Sequence, residues 1–330
     1  MKVVITGGAG FIGLNLARAL IGRGVLTGPS GAEEEIDSIV LFDAVPAPAL
    51  PPDPDGRITT VTGDITGRQA VAAVIDRDDI SVFHLASVVS GGGELDFDLA
   101  MAVNLDGARH VLEACRARAG AVRVVFASSI AVFGGAVMPE TVGDATKRTP
   151  QTTYGVTKAI GELMINDYSR KGFIDGRSAR LPTIIIRPGK PNQAASSFAS
   201  GLFREPLNGE ASALPVDPAT FMPVLGTRSC VKGLIALHEA DGAALGDDRA
   251  VGLPAINCTV ADMIEALRRV ADAKGIELGP ITHRPDPGIE KIVATWPLRI
   301  DAGRALALGL PVDESLDRIV EDYIEDFLVP

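Results

Sequence analysis

Short, solidly apolar runs along this chain are followed by longer stretches in which apolar residues recur every three or four positions. Val3-Val4-Ile5 is the first run, and Leu14, Leu16, Ala17 and Leu20 follow it at helical spacing. The unit then repeats. Ser38–Phe42 and Ile58–Val61 predict strands, the latter ahead of a helix through Val71, Val74 and Ile75. Ser81–Ser87 predicts a fourth strand before a long helix over 94–119, and Ala121–Ala127 a fifth before a helix over 154–171. Leu181–Arg187 reads as a sixth, stopped by Pro188. Strands that lack polar alternation are buried on both faces, and helices between them supply the crossovers that parallel strands need. The pattern predicts an α/β fold with a parallel sheet covered on both sides.

Beyond Pro188 the alternation stops. Residues 190–223 mix proline, serine and short apolar patches, so a loop-rich segment is expected there. A helix over about 228–240 follows, expected to return to the main domain. Thr259 stands where a cap belongs for an amphipathic helix over Val260–Lys274, with Ile264, Leu267 and Val270 in step. A last helix over about 313–328 turns an acidic face outward. The chain of 330 residues exceeds one compact core. The expected division is 1–187 as the main domain and 188–330 mainly as a smaller lobe.

Composition removes several classes of function. A formal net charge of −11 argues against a nucleic-acid partner, which would want a basic surface. No apolar stretch approaches the ~20 residues of a membrane span, and the chain opens directly on a strand, so a cytoplasmic protein without a leader is expected. Cys115, Cys230 and Cys258 lack metal-ligand spacing, as do His84, His110, His238 and His283. No metal site is expected.

The stretch joining the first strand to the first helix carries more than architecture. Thr6-Gly7-Gly8-Ala9-Gly10-Phe11-Ile12-Gly13 places glycines where a tight turn and a close backbone approach to a pyrophosphate need them. The helix that follows offers N–H groups and a positive dipole end to that anion. The context therefore predicts a Rossmann-type, doubly wound sheet that binds a dinucleotide through Gly7, Gly10, Phe11, Ile12 and Gly13. Asp43 ends the second strand, thirty residues after Gly13 rather than the usual ~20, because an acidic, glycine-rich excursion over 24–37 intervenes. An acid there can hydrogen-bond the adenosine ribose and would repel a 2′-phosphate, which favours NAD over NADP.

Tyr154-Gly155-Val156-Thr157-Lys158 sets a phenol and an ammonium four residues apart, on one face of a helix. A phenol of pKa ~10 is a poor base at neutral pH, and a nearby cation stabilises its phenolate. That pair suits proton transfer to or from an alcohol. Ser129, at the end of the fifth strand, could present a hydroxyl to the same oxygen. The glycine turn would bring a nicotinamide to this edge of the sheet, where ligands bind in such folds.

These residues together resemble an extended short-chain dehydrogenase/reductase of the epimerase/dehydratase branch. The resemblance runs over about the first 190 residues and includes Gly63-Asp64-Ile65, His84-Leu85-Ala86, Asn104, Ser128-Ser129-Ile130-Ala131-Val132-Phe133-Gly134 and Arg187-Pro188. It implies Tyr154 as the catalytic acid/base. Lys158 would lower its pKa and bind the nicotinamide ribose, and Ser129 would hold the reacting oxygen. It further implies cofactor contacts at Asp64 and Ile65 beside the adenine, at Leu85, Ala86 and Ser87 along the phosphate and ribose, and at Asn104 and Pro188. A homodimer through the 94–119 and 154–171 helices is implied as well.

Two departures bear on the substrate. The loop after the fourth strand is Val88-Val89-Ser90-Gly91-Gly92-Gly93, compact and glycine-rich where sugar-nucleotide epimerases carry more. After Arg187-Pro188 the chain reads Gly189-Lys190-Pro191-Asn192-Gln193-Ala194-Ala195-Ser196-Ser197-Phe198, which is similar to the family's sugar-acid dehydrogenases. That resemblance implies oxidation of a small sugar acid at C2, giving a 2-oxo acid. A carboxylate needs a cationic or N–H-rich partner; Lys190, Arg204 and Arg228 are the candidates, Arg228 first, with Ser90 and Ser196 for other oxygens. The alternatives are a sugar-nucleotide epimerase or dehydratase that retains its NAD, and a regulator that senses NAD without chemistry, for which the Tyr154/Lys158 pair is superfluous.

Overall fold

The computed structural model describes residues 1–190 and 194–328, so Pro191, Asn192 and Gln193 of the loop singled out above lie outside the described residues. Two compact units emerge. The first contains 1–132, 152–180 and 231–251; the second contains 133–151, 181–230 and 252–330. The returning segment is thus longer than the helix expected at 228–240, and it begins inside the helix Thr227–Glu239.

The first unit is built on strands β1 (Lys2–Thr6), β2 (Ser38–Asp43), β3 (Ile58–Thr62), β4 (Ile80–His84), β5 (Val122–Ser129) and β6 (Ile174–Leu181). Its main helices are α1 (Phe11–Arg23), α2 (Arg68–Val74), α3 (Gly107–Arg116) and α4 (Thr153–Arg170). The sheet has seven strands in the order Ala250–Gly252, β6, β5, β4, β1, β2, β3. β1 lies between β4 and β2, pairing in parallel with both: Val4 stands opposite Val82 on one side and Val40 on the other. The strand order reverses at β1, which puts the glycine turn at the switch point of the sheet, where open α/β folds bind their ligands. Val4, Val82, Val124, Phe126 and Val111 form the core beneath it.

Four features differ from the sequence expectation. The sixth strand of the sheet is β6, not Leu181–Arg187; within that stretch, Thr183–Ile185 joins a separate sheet of the second unit. β6 carries Arg177, Ser178 and Arg180, all buried, and so reads as polar. The seventh strand, Ala250–Gly252, was not foreseen. The excursion over 24–37 folds into a hairpin, Val25–Thr27 against Glu33–Glu35. The single helix expected over 94–119 is instead helical at Ser90–Leu95 and Phe97–Ala100, widens into a π-helical turn over Met101–Asp106, and resumes as α3.

In the second unit, Phe221–Gly226 pairs in parallel with Thr183–Ile185 and antiparallel with Ile256–Thr259. The helix Val260–Lys274 starts on a capping box, Thr259 accepting from the Asp262 N–H while the Asp262 carboxylate accepts from that of Thr259. Phe203, Met222, Leu267 and Tyr323 share this unit's core. Among the described residues, no helix is long and apolar enough to cross a membrane, and no group of three or more His, Cys, Asp or Glu could hold a metal ion.

Candidate active site

At the switch point, β1 passes through Gly7–Gly10 into α1. Gly7 has φ +71°, and a Cβ there would sit 2.8 Å from the Ala86 nitrogen; one on Gly13 would sit 2.6 Å from the Gly7 carbonyl oxygen. Both clashes are with backbone, so only glycine permits the turn. Gly10 caps α1 with no side-chain hydrogen bond, and no acid stands in the first turn. The positive end of the helix dipole is therefore not neutralised from within α1. Asp43 leans over the turn, its Oδ2 accepting the Ala9 N–H at 3.0 Å and its Oδ1 the Val45 N–H at 3.3 Å. Uncapped helix end, glycine cradle and carboxylate fit a dinucleotide with a free ribose. Farther along, Asp64 accepts the Thr66 N–H at 2.8 Å, which holds its carboxyl below the usual range. Ile65 is buried against Gly107, where a Cβ would come within 2.9 Å of its side chain.

The end of β4 is tied to this turn. Leu85 N–H donates to the Thr6 carbonyl at 3.0 Å and Ala86 N–H to the Thr6 hydroxyl at 3.3 Å. Thr6 Oγ1 in turn lies 2.7 Å from His84 Nδ1. Burial pushes His84 down to about 3, helped by the Lys158 charge, so the ring is neutral. The Thr6 hydroxyl can then donate to Nδ1 while accepting from Ala86.

Asn104 sits inside the π-helical turn, buried, and its amide is engaged by protein groups. Its Oδ1 accepts from Val88 N–H at 2.7 Å and from the Ser87 hydroxyl at 3.1 Å; its Nδ2 donates to the Val88 carbonyl at 3.1 Å and to Thr157 Oγ1 at 3.2 Å. The residue expected to touch cofactor thus joins the loop after β4 to the middle of α4. Thr157, which the sequence reading passed over, is buried between Tyr154 and Lys158 and receives that bond.

The end of β5 faces α4. Thr152 caps α4, accepting the Gly155 N–H at 3.0 Å, and Glu94 accepts the Thr153 N–H at 2.8 Å. These two bonds fix the turn that carries Tyr154. Lys158 is buried one turn on; its ammonium donates to the Ala127 carbonyl at 2.7 Å and lies 5.5 Å from the centroid of the Tyr154 ring. Burial pushes Lys158 down to about 7. Burial also pushes the Tyr154 phenol up, and the interaction that draws it back is a hydrogen bond with Ser129. Ser129 itself accepts the Ala131 N–H at 3.2 Å. A phenol, a hydroxyl and an ammonium therefore converge at one edge of the sheet, an arrangement that can hold a carbonyl or alcohol oxygen and exchange its proton.

Of the remaining candidates, Ser90 opens the short helix Ser90–Leu95 in the first unit. Pro188 and Lys190 follow Ile185–Arg187 in the second unit, where Lys190 is exposed. Ser196 stands at the cap of the helix Ser197–Leu207. Arg204, within that helix, is buried; it donates to the Arg187 carbonyl at 2.9 Å and also pairs with Glu205. Arg228 is engaged by the last helix: it donates to Asp322 at 2.6 Å, to Glu325 at 3.0 Å and bidentately to Asp326 at 2.9 and 2.7 Å. These carboxylates already answer its charge, which weakens the grounds for ranking it first for a substrate carboxylate.

Comparison with known proteins adds independent findings. The pattern of the NAD dependent epimerase/dehydratase family matches residues 3–238. The chain is 50% identical to D-erythronate dehydrogenase of Cupriavidus necator, over 99% of this chain and 98% of that one. It is 41% identical to D-erythronate dehydrogenase of Haemophilus influenzae, over 98% and 99%. Among solved structures, a nucleoside-diphosphate-sugar epimerase from Agrobacterium tumefaciens superposes with a TM-score of 0.90 at 38% identity, covering 99% of this chain and 94% of that one.

Proposed function

This chain belongs to the NAD dependent epimerase/dehydratase family, and on that premise we propose that it oxidises the C2 hydroxyl of D-erythronate, or a close four-carbon sugar acid, to the 2-oxo acid. It is an NAD-dependent dehydrogenase acting on a CH–OH group. The single observation that carries the finer reading is the convergence of Ser129, Tyr154 and Lys158 at the switch-point edge, in a chain half identical to a D-erythronate dehydrogenase.

In the proposed reaction, the Tyr154 phenolate takes the proton of the C2 hydroxyl as the O–H bond breaks. NAD supplies the hydride acceptor for the C2 hydrogen. The Ser129 hydroxyl donates to the oxygen as it becomes a carbonyl. Lys158, fixed on Ala127, holds positive charge beside the ring and would bind the nicotinamide ribose. Gly7, Gly10, Phe11, Ile12 and Gly13 would carry the pyrophosphate, Asp43 the adenosine ribose and Asp64 with Ile65 the adenine. Leu85, Ala86, Ser87 and Pro188 complete the proposed contacts, with Asn104 acting through Val88 and Thr157.

For the substrate carboxylate we retain Lys190, with Ser90 and Ser196 for further oxygens; Arg228 would have to exchange three carboxylates for one. Leu95, Phe97, Leu99, Val156 and Leu163 are exposed apolar residues of the helices at Ser90–Leu95, Phe97–Ala100 and α4. They support a homodimer through this face, since exposed apolar groups in one region mark association sites. Three unpaired, buried cysteines suit a reducing, cytoplasmic setting.

The test is a panel of C3–C6 sugar acids assayed for NADH formation with NAD. Net NADH on D-erythronate supports the proposal. The second reading, an epimerase that returns its hydride, has the Agrobacterium structure in its favour; it predicts silence on every acid and turnover of a sugar nucleotide without net NADH.

A further inference from the structure

One turn beyond Lys158, α4 carries a second ionisable group that the chemistry above does not use. Glu162 is wholly buried, and its partner Arg180, the penultimate residue of β6, is 1% exposed. The pair is bidentate: Arg180 Nε donates to Oε1 and Nη2 to Oε2, both at 2.9 Å. Glu162 Oε1 also accepts the Ser128 hydroxyl at 2.6 Å. Three consecutive residues of β5 thereby meet the same helix. Ala127 takes Lys158, Ser128 takes Glu162, and Ser129 takes Tyr154.

Against β5, α4 presents Gly161, whose absent Cβ would lie 2.5 Å from the Phe126 ring. A glycine admits close approach but offers nothing to interlock. Dispersion and burial are non-directional, whereas a planar fork on a carboxylate has one geometry. A buried ion pair contributes little net stability, because both charges are desolvated, and a well-packed apolar pair often does as well. Its persistence here asks for another reason. A slip of one residue along α4 moves a side chain by ~1.5 Å along the helix axis, enough to spoil a proton transfer that needs hydrogen-bond reach.

We propose that Glu162 and Arg180, with Ser128, are positioning residues that set the register of α4 on β5, so that Tyr154 and Lys158 meet Ser129 and Ala127. This rests on Tyr154 being the base. When the register drifts, the Tyr154 phenol loses its bond with Ser129, the interaction that opposes its burial, and the phenolate becomes harder to form.

The experiment compares the wild type with E162M/R180M, which replaces the pair by apolar side chains, and with Ser128→Ala, a small change that leaves the ion pair intact. Urea midpoint, NADH affinity by fluorescence, and the pH profile of kcat on D-erythronate are measured for each. The double variant is expected to stay folded with a midpoint at or above wild type and NADH affinity within about twofold. Its kcat should fall about tenfold or more, with the acid limb of the profile moved to higher pH. Unchanged kcat overturns the proposal. So does a loss of kcat with an unmoved acid limb, since ordinary destabilisation does not alter a pKa. So does a tenfold loss of NADH affinity, which would assign the pair to the nucleotide edge. If the double variant does not fold, Ser128→Ala decides: a kcat about threefold lower with the same displaced limb supports the proposal, and a wild-type profile overturns it. A Tyr154→Phe control separates the two levels, because wild-type turnover there sinks the base assignment and this inference with it.

Discussion

The Lys158 ammonium donates to the Ala127 carbonyl at 2.7 Å while lying 5.5 Å from the Tyr154 ring centroid. The lysine is anchored to the strand that carries Ser129, and the tyrosine comes to it. In the protein alone, burial raises the phenol and only Ser129 opposes. Tyr154→Phe keeps the ring and its packing but removes the proton acceptor. Turnover should fall by ~10²–10⁴-fold, with the KM for NAD within about threefold. Lys158→Met should lower kcat and also raise the KM for NAD, because the same group is assigned to the ribose. Steady-state NADH formation at varied NAD separates the two patterns.

Asn104 makes four hydrogen bonds to protein groups, two of them to the backbone of Val88. Asn104→Asp preserves the acceptor toward Val88 N–H and loses both donors, leaving a carboxylate oxygen against the Val88 carbonyl. If Asn104 positions α4 and the loop after β4, kcat should fall about tenfold while NADH affinity stays within about threefold. A larger loss of NADH affinity than of kcat would return it to the cofactor contacts. Fluorescence titration with NADH beside steady-state kinetics gives both numbers.

Asp43 is held over the glycine turn by Ala9, and the proposal assigns its fixed charge to the adenosine ribose. A hydrogen bond to a charged group is worth about 1.5–3 kcal/mol, which corresponds to about 10- to 100-fold in affinity. Asp43→Asn should therefore raise the KM for NAD about tenfold or more. It should also improve use of NADP, since the charge that repels a 2′-phosphate is gone. The ratio of kcat/KM for the two nucleotides, measured before and after the substitution, checks this; an unchanged ratio removes Asp43 from cofactor choice.

The parts of the site that could be read in the chain are those whose chemistry is local. Gly7, Gly10 and Gly13 are demanded by one turn, and Tyr154 with Lys158 by one helical turn. What escaped was decided by residues distant in sequence. β6 reads as a polar segment until Glu162 answers Arg180 and the Ala240 carbonyl answers Arg177. Arg228 looks like a cation awaiting an anion until the last helix supplies one 98 residues away. The break in the helix over 94–119 follows no glycine or proline signal at Met101–Asp106. There the widened turn coincides with Asn104, whose bonds to Val88 and Thr157 are tertiary. Polar residues on buried faces were the missing signal, and only their partners explain them.

Such a partnership also governs the acid stability of the first unit. His238, at the end of the helix Thr227–Glu239, is fully buried, its Nε2 2.9 Å from Ser81 Oγ and its Nδ1 2.8 Å from Glu239 Oε1. Burial pushes it down to about 4; Glu239 opposes, while Arg177 and Arg123 reinforce the fall. Folding therefore favours the neutral ring. Its contribution is complete above the unfolded value of ~6.5 and is lost progressively as pH falls toward about 4, at ~1.4 kcal/mol per pH unit for one proton. His84, pushed down to about 3, acts in the same direction. Burial alone would raise Glu239, yet His238 and the Thr27 N–H hold it down to about 2, so its stabilisation is lost only below its ordinary carboxyl range. Urea midpoints measured from pH 7 down to pH 4.5 should fall steeply for the wild type. His238→Gln should start lower, because the ring's packing on Phe83 is lost, and then decline more gently by close to one proton's worth of slope. Parallel curves for the two proteins would mean that His238 does not take up a proton on unfolding in this range.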